Sequence, residues 1–179
     1  QLGISKKTIY QFFTDKDEMV EAVVNQEIKE NEDGCRMVQV NADNAVHEIF
    51  LALENVQEML KTMNPQLMYD LEKHHPGAFR RLKQYKYQFL YVMINENLSR
   101  GMKEDIDRTD LNPDITARYR IESVFMTFNQ EAFPWNKYPM NQTCRELALL
   151  FMHSVCNPKG KKLIDKYLNE GQKITLHAH

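Results

Sequence analysis

The sequence predicts an all-α protein, and three observations carry that prediction. Apolar residues recur at three- and four-residue spacings along most of the chain. No run alternates apolar and polar at period two, which argues against strands. The periodic runs are punctuated by helix starts and stops such as Asn64-Pro65, Pro76-Gly77, Asn112-Pro113 and Asn157-Pro158. At 179 residues and 42% hydrophobic composition, the chain can build one sizeable core with a small appendage. Two units are expected, residues 1–31 and residues 42–170.

The first unit opens on Leu2-Gly3-Ile4-Ser5-Lys6-Lys7-Thr8-Ile9-Tyr10-Gln11-Phe12-Phe13. Gly3 suits the positive φ found where a helix ends, and Ser5 suits the N-cap of the next, so a short helix is predicted from Lys6. Ile9, Phe12 and Phe13, with Ile4 before the cap, form an inward face, leaving Lys6, Lys7, Thr8 and Gln11 outside. That outward set is equipped to read a DNA groove. Lysines reach phosphates or guanine acceptors, a Thr methyl meets a thymine methyl, Gln pairs with adenine, and the Tyr10 hydroxyl can hold a phosphate. Asp15 then caps a new helix, with Glu18 placed to close a capping box. Lys16 at this first turn mismatches the helix dipole unless a phosphate lies against it.

Gly3 to Val20 resembles the second half of the helix-turn-helix of the tetracycline-repressor (TetR) family of bacterial transcription regulators. The resemblance rests on Gly3, Ile4, Ser5, Lys6, Thr8, Ile9, Tyr10, the Phe12-Phe13 pair, the cap and Lys16, in order and spacing. It implies that Lys6, Lys7, Thr8 and Gln11 face DNA, that Tyr10 and Lys16 grip phosphates, and that Ile4, Ile9 and Phe13 are core. Residues 1–31 would then be the C-terminal half of a DNA-binding domain plus a connecting helix. Residues 42–170 would be a regulatory and dimerisation bundle. The family's first helix and most of its second should precede Gly3, so an N-terminal piece of the native protein is expected to be missing, and weak operator binding with it.

Beyond Asp15 the connecting helix carries Met19, Val20, Val23, Val24 and Ile28 and is expected to break at Asn31-Glu32-Asp33-Gly34, leaving 35–41 as linker. Further helices are predicted at about 42–63, 66–74 and 76–101, the last central in the bundle because Tyr85 to Ile94 is apolar nearly all round. Asn112 and Pro113 start another. After Pro139 a helix is expected with a capping box at Thr143 and Glu146. Pro158 begins the final one, ending near Asn169 before Gly171 and a poorly ordered tail.

The net charge of −2 confines any attraction to DNA to a local patch, and residues 1–16 supply it: Lys6, Lys7 and Lys16 against Asp15. Cys35, Cys144 and Cys156 lack CxxC spacing, so neither a disulfide framework nor a zinc finger is indicated, and a reducing cytoplasm is expected. No stretch is apolar for long enough to span a bilayer. Phe50, Met59, Met63, Met68, Phe89, Met93, Phe125, Met126 and Phe128 fall on helices expected to face one another. They are candidates for an effector pocket or for ordinary core.

His74-His75 with Glu72 lacks HExxH spacing, and no metal or other cofactor is expected. His153 with Cys156 and Cys144 suggests a thiol–imidazole pair at most. No nucleophile elbow, phosphate loop or carboxylate dyad supports an enzyme. Lys159, Lys161 and Lys162 are read as a solvated face. The expectation is a homodimeric repressor that binds double-stranded palindromic operator DNA and is released by a small apolar or aromatic effector. The alternative is a helical binding module without DNA contact.

Overall fold

Side chains choose four of the eight α-helix starts among the described residues. Asp15 accepts from the Glu18 N–H at 2.8 Å, Asn44 from that of His47 at 3.0 Å, Asn112 from Ile115 at 3.2 Å, and Asn157 from Lys159 and Gly160 at 2.8 and 3.1 Å. Pro76, Pro113 and Pro158 each stand in the first turn that follows, where no N–H is needed. The computed structural model describes residues 11–64 and 66–177. In order these form α1 (Lys16–Asn41), α2 (Ala45–Thr62), α3 (Leu67–His74), α4 (Pro76–Gln84), a π-helical segment (Tyr85–Leu90), α5 (Tyr91–Lys103), α6 (Pro113–Met126), α7 (Met140–Val155) and α8 (Pro158–His177). Among the described residues there is no strand, only a single bridge between Asp107 and Cys156, so the fold is all-α as expected.

Two apolar clusters hold these helices together. In the first, Leu98, Met152, Val155 and Ile164 bring α5, α7 and α8 together with Val46 of α2. In the second, Leu53 and Leu60 of α2 meet Met140, Cys144 and Ala148 of α7, flanked by Phe128 and Trp135 from the α6–α7 connection. Each fully buried leucine contributes about 2 kcal/mol, so these layers fix the relative placement of α2, α5 and α7.

Several sequence expectations are corrected. α1 runs unbroken through Asn31 to Gly34, and residues 35–41 are helical. One helical glycine costs about 1 kcal/mol, and packing of Cys35 and Val38 against the body outweighs it. The stretch Tyr85 to Ile94 is not central on all sides. Tyr87 and Val92 are exposed, and the Tyr87 hydroxyl donates to Glu122 Oε1 at 2.6 Å, since a phenol keeps its polar end wet. α7 starts at Met140, after Pro139 as expected, but Thr143 does not cap it: its hydroxyl is inside the helix and donates to Pro139 O at 3.1 Å. α8 passes Gly171 and continues to His177, so the tail expected to be poorly ordered is largely helix.

Candidate nucleic-acid interface and effector site

Of the residues expected to meet DNA, Lys6, Lys7, Thr8 and Tyr10 lie outside the described residues. Gln11 and Lys16 are described, and both are exposed. Asp15 caps α1, but Glu18 does not reach back to the Asp15 N–H. Its carboxylate takes the Thr14 N–H at 2.6 Å and the Thr14 hydroxyl at 2.7 Å, and these bonds hold its pKa below the ordinary value. Lys16 therefore stands at the first turn of a helix whose start is held one residue further out than a capping box would hold it. Phe12, assigned to the inward face by its spacing, is 75% exposed. Residues 11 and 12 form a turn, which removes the helical geometry on which that assignment depended.

Beyond its first turn, α1 lies parallel to the rod formed by α4, the π-helical segment and α5. Asp17 Oδ1 meets His75 Nδ1 at 2.6 Å, Arg81 Nε donates to Asn25 Oδ1 at 3.1 Å, the Arg36 guanidinium lies 5.3 Å from the Phe89 ring centre, and Gln39 Nε2 donates to Glu96 Oε2 at 3.2 Å. Gly77 leaves room for the Glu21 carboxylate, because a Cβ there would fall 1.7 Å from Glu21 Oε1. Between the two rods runs an open groove of about 570 Å3 whose lining includes Lys29, Glu32, Arg36, Arg81, Tyr85 and Phe89. Cys35 and Tyr85 lie close to each other beside it, and burial pushes both pKa values up.

At its C-terminal end α1 is pinned by a part-buried network of hydrogen bonds and ion pairs. Arg100 donates from Nη2 to Ala42 O at 2.9 Å, from Nη1 to Glu48 Oε2 at 3.1 Å and from Nε to Glu104 Oε1 at 2.6 Å. Glu104 Oε2 accepts from the Ala45 N–H at 2.9 Å, and Asn97 Nδ2 donates to Ala45 O at 3.0 Å. Glu48 is only 5% exposed. Burial raises its pKa, with Asn97 and Arg100 pulling the other way. The α1–α2 corner is thus tied to α5 on both sides.

The nine residues expected to line a pocket are brought together only in part. Met59, Met63 and Phe128 converge on the second apolar cluster, and Phe125 tilts against Phe128 at 6.1 Å. Phe50 packs instead on the first cluster beside Tyr167, and Phe89 stacks on Tyr85 in the α1 groove. Met68 and Met93 are half-buried and Met126 is exposed. Sequence reasoning missed Arg120 and Trp135. Trp135 packs on the second cluster, and Arg120 Cζ sits 5.0 Å from the Phe151 ring centre. The signal for Arg120 was a cation beside the apolar stripe of Ala117, Ile121 and Val124.

With this geometry, comparison with known proteins becomes informative. The chain is 29% identical over 140 residues to an uncharacterized HTH-type transcriptional regulator of Bacillus subtilis (strain 168), YvaF, across 73% of this chain and 68% of that protein. It is a distant likeness to a regulator, not to an enzyme. No protein-family profile matches the chain, and no solved structure does.

The remaining candidate sites have ordinary partners. His75 pairs with Asp17, and among the described residues no three His, Cys, Asp or Glu side chains gather as metal ligands. Cys156 Sγ donates to Asp107 Oδ1 at 3.3 Å, and burial pushes its pKa up, away from a reactive thiolate. His153 is exposed. Lys159 Nζ donates to Glu104 O at 2.7 Å. No described helix is long and apolar enough to cross a membrane.

Proposed function

We propose that this chain is a subunit of a dimeric transcription regulator of the TetR kind, acting as a repressor that leaves its operator when a small apolar molecule enters the bundle. One observation carries the reading. The Gly3 to Val20 motif runs into a capped helix of 26 residues that leads from the expected DNA-reading segment to the body without a break. A continuous α-helix of that length spans about 39 Å and transmits a tilt at one end to the other. The similarity to an HTH-type regulator supports the same reading.

Dimerisation is supported by exposed apolar side chains on adjacent helices, Ile115, Tyr119 and Met126 on α6 and Leu150 on α7. Two reading helices then enter successive major grooves about 34 Å apart, and a ligand that favours a different spacing weakens operator binding. By linkage the operator weakens ligand binding by the same factor.

The test is a salt-titrated mobility-shift assay with the full-length protein on its own promoter region. Steep salt dependence is expected. Substitution of Lys16 or Tyr10 should lower affinity for all sequences, and substitution of Lys6, Lys7, Thr8 or Gln11 should relax sequence preference. Absence of binding by the full-length protein would instead favour a helical small-molecule-binding module.

A further inference from the structure

Unmet polar groups collect in one part of this molecule. Among the described residues, the buried side-chain N and O atoms with no hydrogen-bond partner are Thr127 Oγ1, Trp135 Nε1 and Asn141 Oδ1, all on or beside the connection between α6 and α7. Thr127 is 2% exposed. Buried polar groups are ordinarily satisfied, so three orphans within fifteen residues mark a place built to receive something.

Arg120 adds a charge to that set. It lies on the same face of α6 as Thr127, seven residues or two helical turns away. Its guanidinium touches the face of Phe151, in the first apolar cluster, and lies near Cys144, in the second, so it sits at the seam between them. No carboxylate and no hydrogen-bond acceptor among the described residues meets it. Desolvation lowers its pKa, opposed only by Cys144 and Tyr119. Arg120 is half-buried, and a guanidinium so placed, with part of its hydration lost and no protein acceptor, is stabilised when an anion joins it.

We infer that the α6–α7 seam is the head-group site for a monocarboxylate with an apolar body, its acid held by Arg120 and its body lying over the second apolar cluster. The chemistry fits on both sides. A carboxylate takes two parallel N–H donors from a guanidinium, and Trp135 Nε1, an unmet donor packed on the second cluster, supplies a further donor on that side of the seam. Met59 and Met63 on the cluster adapt to bodies of varied shape. The site bridges the cluster that carries Val46, next to the pinned α1–α2 corner, and the cluster at the other end of α2. It rests on the reading above that the bundle holds an effector, and it names that effector's class.

Trp135 is the sole tryptophan of the chain and reports on the site directly. The experiment titrates the protein with decanoate and, separately, with 1-decanol, following Trp135 fluorescence. Decanoate should saturate the signal with at least about tenfold higher affinity than decanol, the preference expected of a charge-assisted hydrogen-bonded pair. Arg120→Gln and Arg120→Met should lose the preference, and Arg120→Lys should keep part of it. Because the charge has no partner in the free chain, Arg120→Met should also raise Tm without ligand by about 2–4 °C.

Equal affinities in the wild type, no saturable response to decanoate, or variants that keep the preference would overturn the inference. So would unfolding of all three Arg120 variants, which would show a structural partner. A wild-type Tm that rises with protein concentration while that of Arg120→Met does not would assign Arg120 to a second copy of the chain. Operator binding by the full-length protein is measured in parallel. Decanoate binding without operator binding sinks the regulator reading alone, and operator binding without decanoate binding sinks the site alone.

Discussion

The two ends of α1 are attached to the same rod by different physics. Near Lys16 the contacts are polar and exposed: Asp17 with His75, and Asn25 with Arg81. Near Asn41 they are part-buried around the buried Glu48 carboxylate, with Arg100 inserted between Ala42, Glu48 and Glu104. Exposed pairs contribute about 0–1 kcal/mol each, whereas breaking a buried charge pair costs about 3–5 kcal/mol. The helix is therefore a lever with a firm pivot and a lightly held arm, and the arm is the end that carries the expected DNA-reading segment.

The largest expected effect is at the pivot. Arg100→Met leaves Glu48 buried without its cation and should lower unfolding free energy by about 3–5 kcal/mol in urea titration. A loss below about 1 kcal/mol would make the two ends equivalent. Hydrogen exchange sharpens the contrast next. Amides of the first turns of α1 should exchange at least about tenfold faster than those around Val38, because local opening there breaks exposed pairs and half-buried apolar contacts but no contact with a buried charge. Uniform protection along the helix would remove the lever.

A smaller effect is electrostatic. The folded pKa of Glu48 is raised above its unfolded value, near about 4.3, chiefly by burial. The folded state therefore holds the proton longer, and stability falls as pH rises from that unfolded value through the folded one. Glu48→Gln should flatten this part of a Tm against pH curve, and an unchanged slope would show that Glu48 is not its source. The smallest effect lies on the arm. Arg81→Ala should change stability by no more than about 0.5 kcal/mol, and a loss of 2 or more, by the same scale, would show that the arm is clamped.

Much of the fold was legible because its signals are local. Asp15, Asn112 and Asn157 cap where their side chains suggested, and the prolines start helices. What failed was tertiary. Asn31 to Gly34 reads as a break until Val38 is seen packed on the body, and Gly171 reads as a stop though α8 continues beyond it. The site was legible to a different degree in each unit. The proposed DNA-facing set was read from a contiguous motif, of which Gln11 and Lys16 lie among the described residues and are exposed. The pocket residues are scattered in sequence, and periodicity alone could not separate Phe50 and Phe89, which serve other contacts, from Met59, Met63 and Phe128. Arg120 escaped because a lone cation on an amphipathic helix is ordinarily at a solvated edge, and only packing shows that nothing neutralises it.

The π-helical turn at Tyr85–Leu90, closed by the Tyr91 N–H on Lys86 O, accommodates one residue more than an α-helix would. It acts as a gear between α4, which faces the arm, and α5, which faces the pivot. Loss of one residue there, such as exposed Gln88, would be absorbed by closing the bulge to an ordinary α-turn, whereas loss of one residue from the first turn of α5 would turn everything downstream by about 100°. Leu98 would swing out of the core, and Arg100 would leave Ala42. The same deletion in the irregular stretch between α6 and α7 would shift no helical phase, so insertions and deletions across homologous chains should spare α5 and accumulate at the π-helical turn and in that stretch.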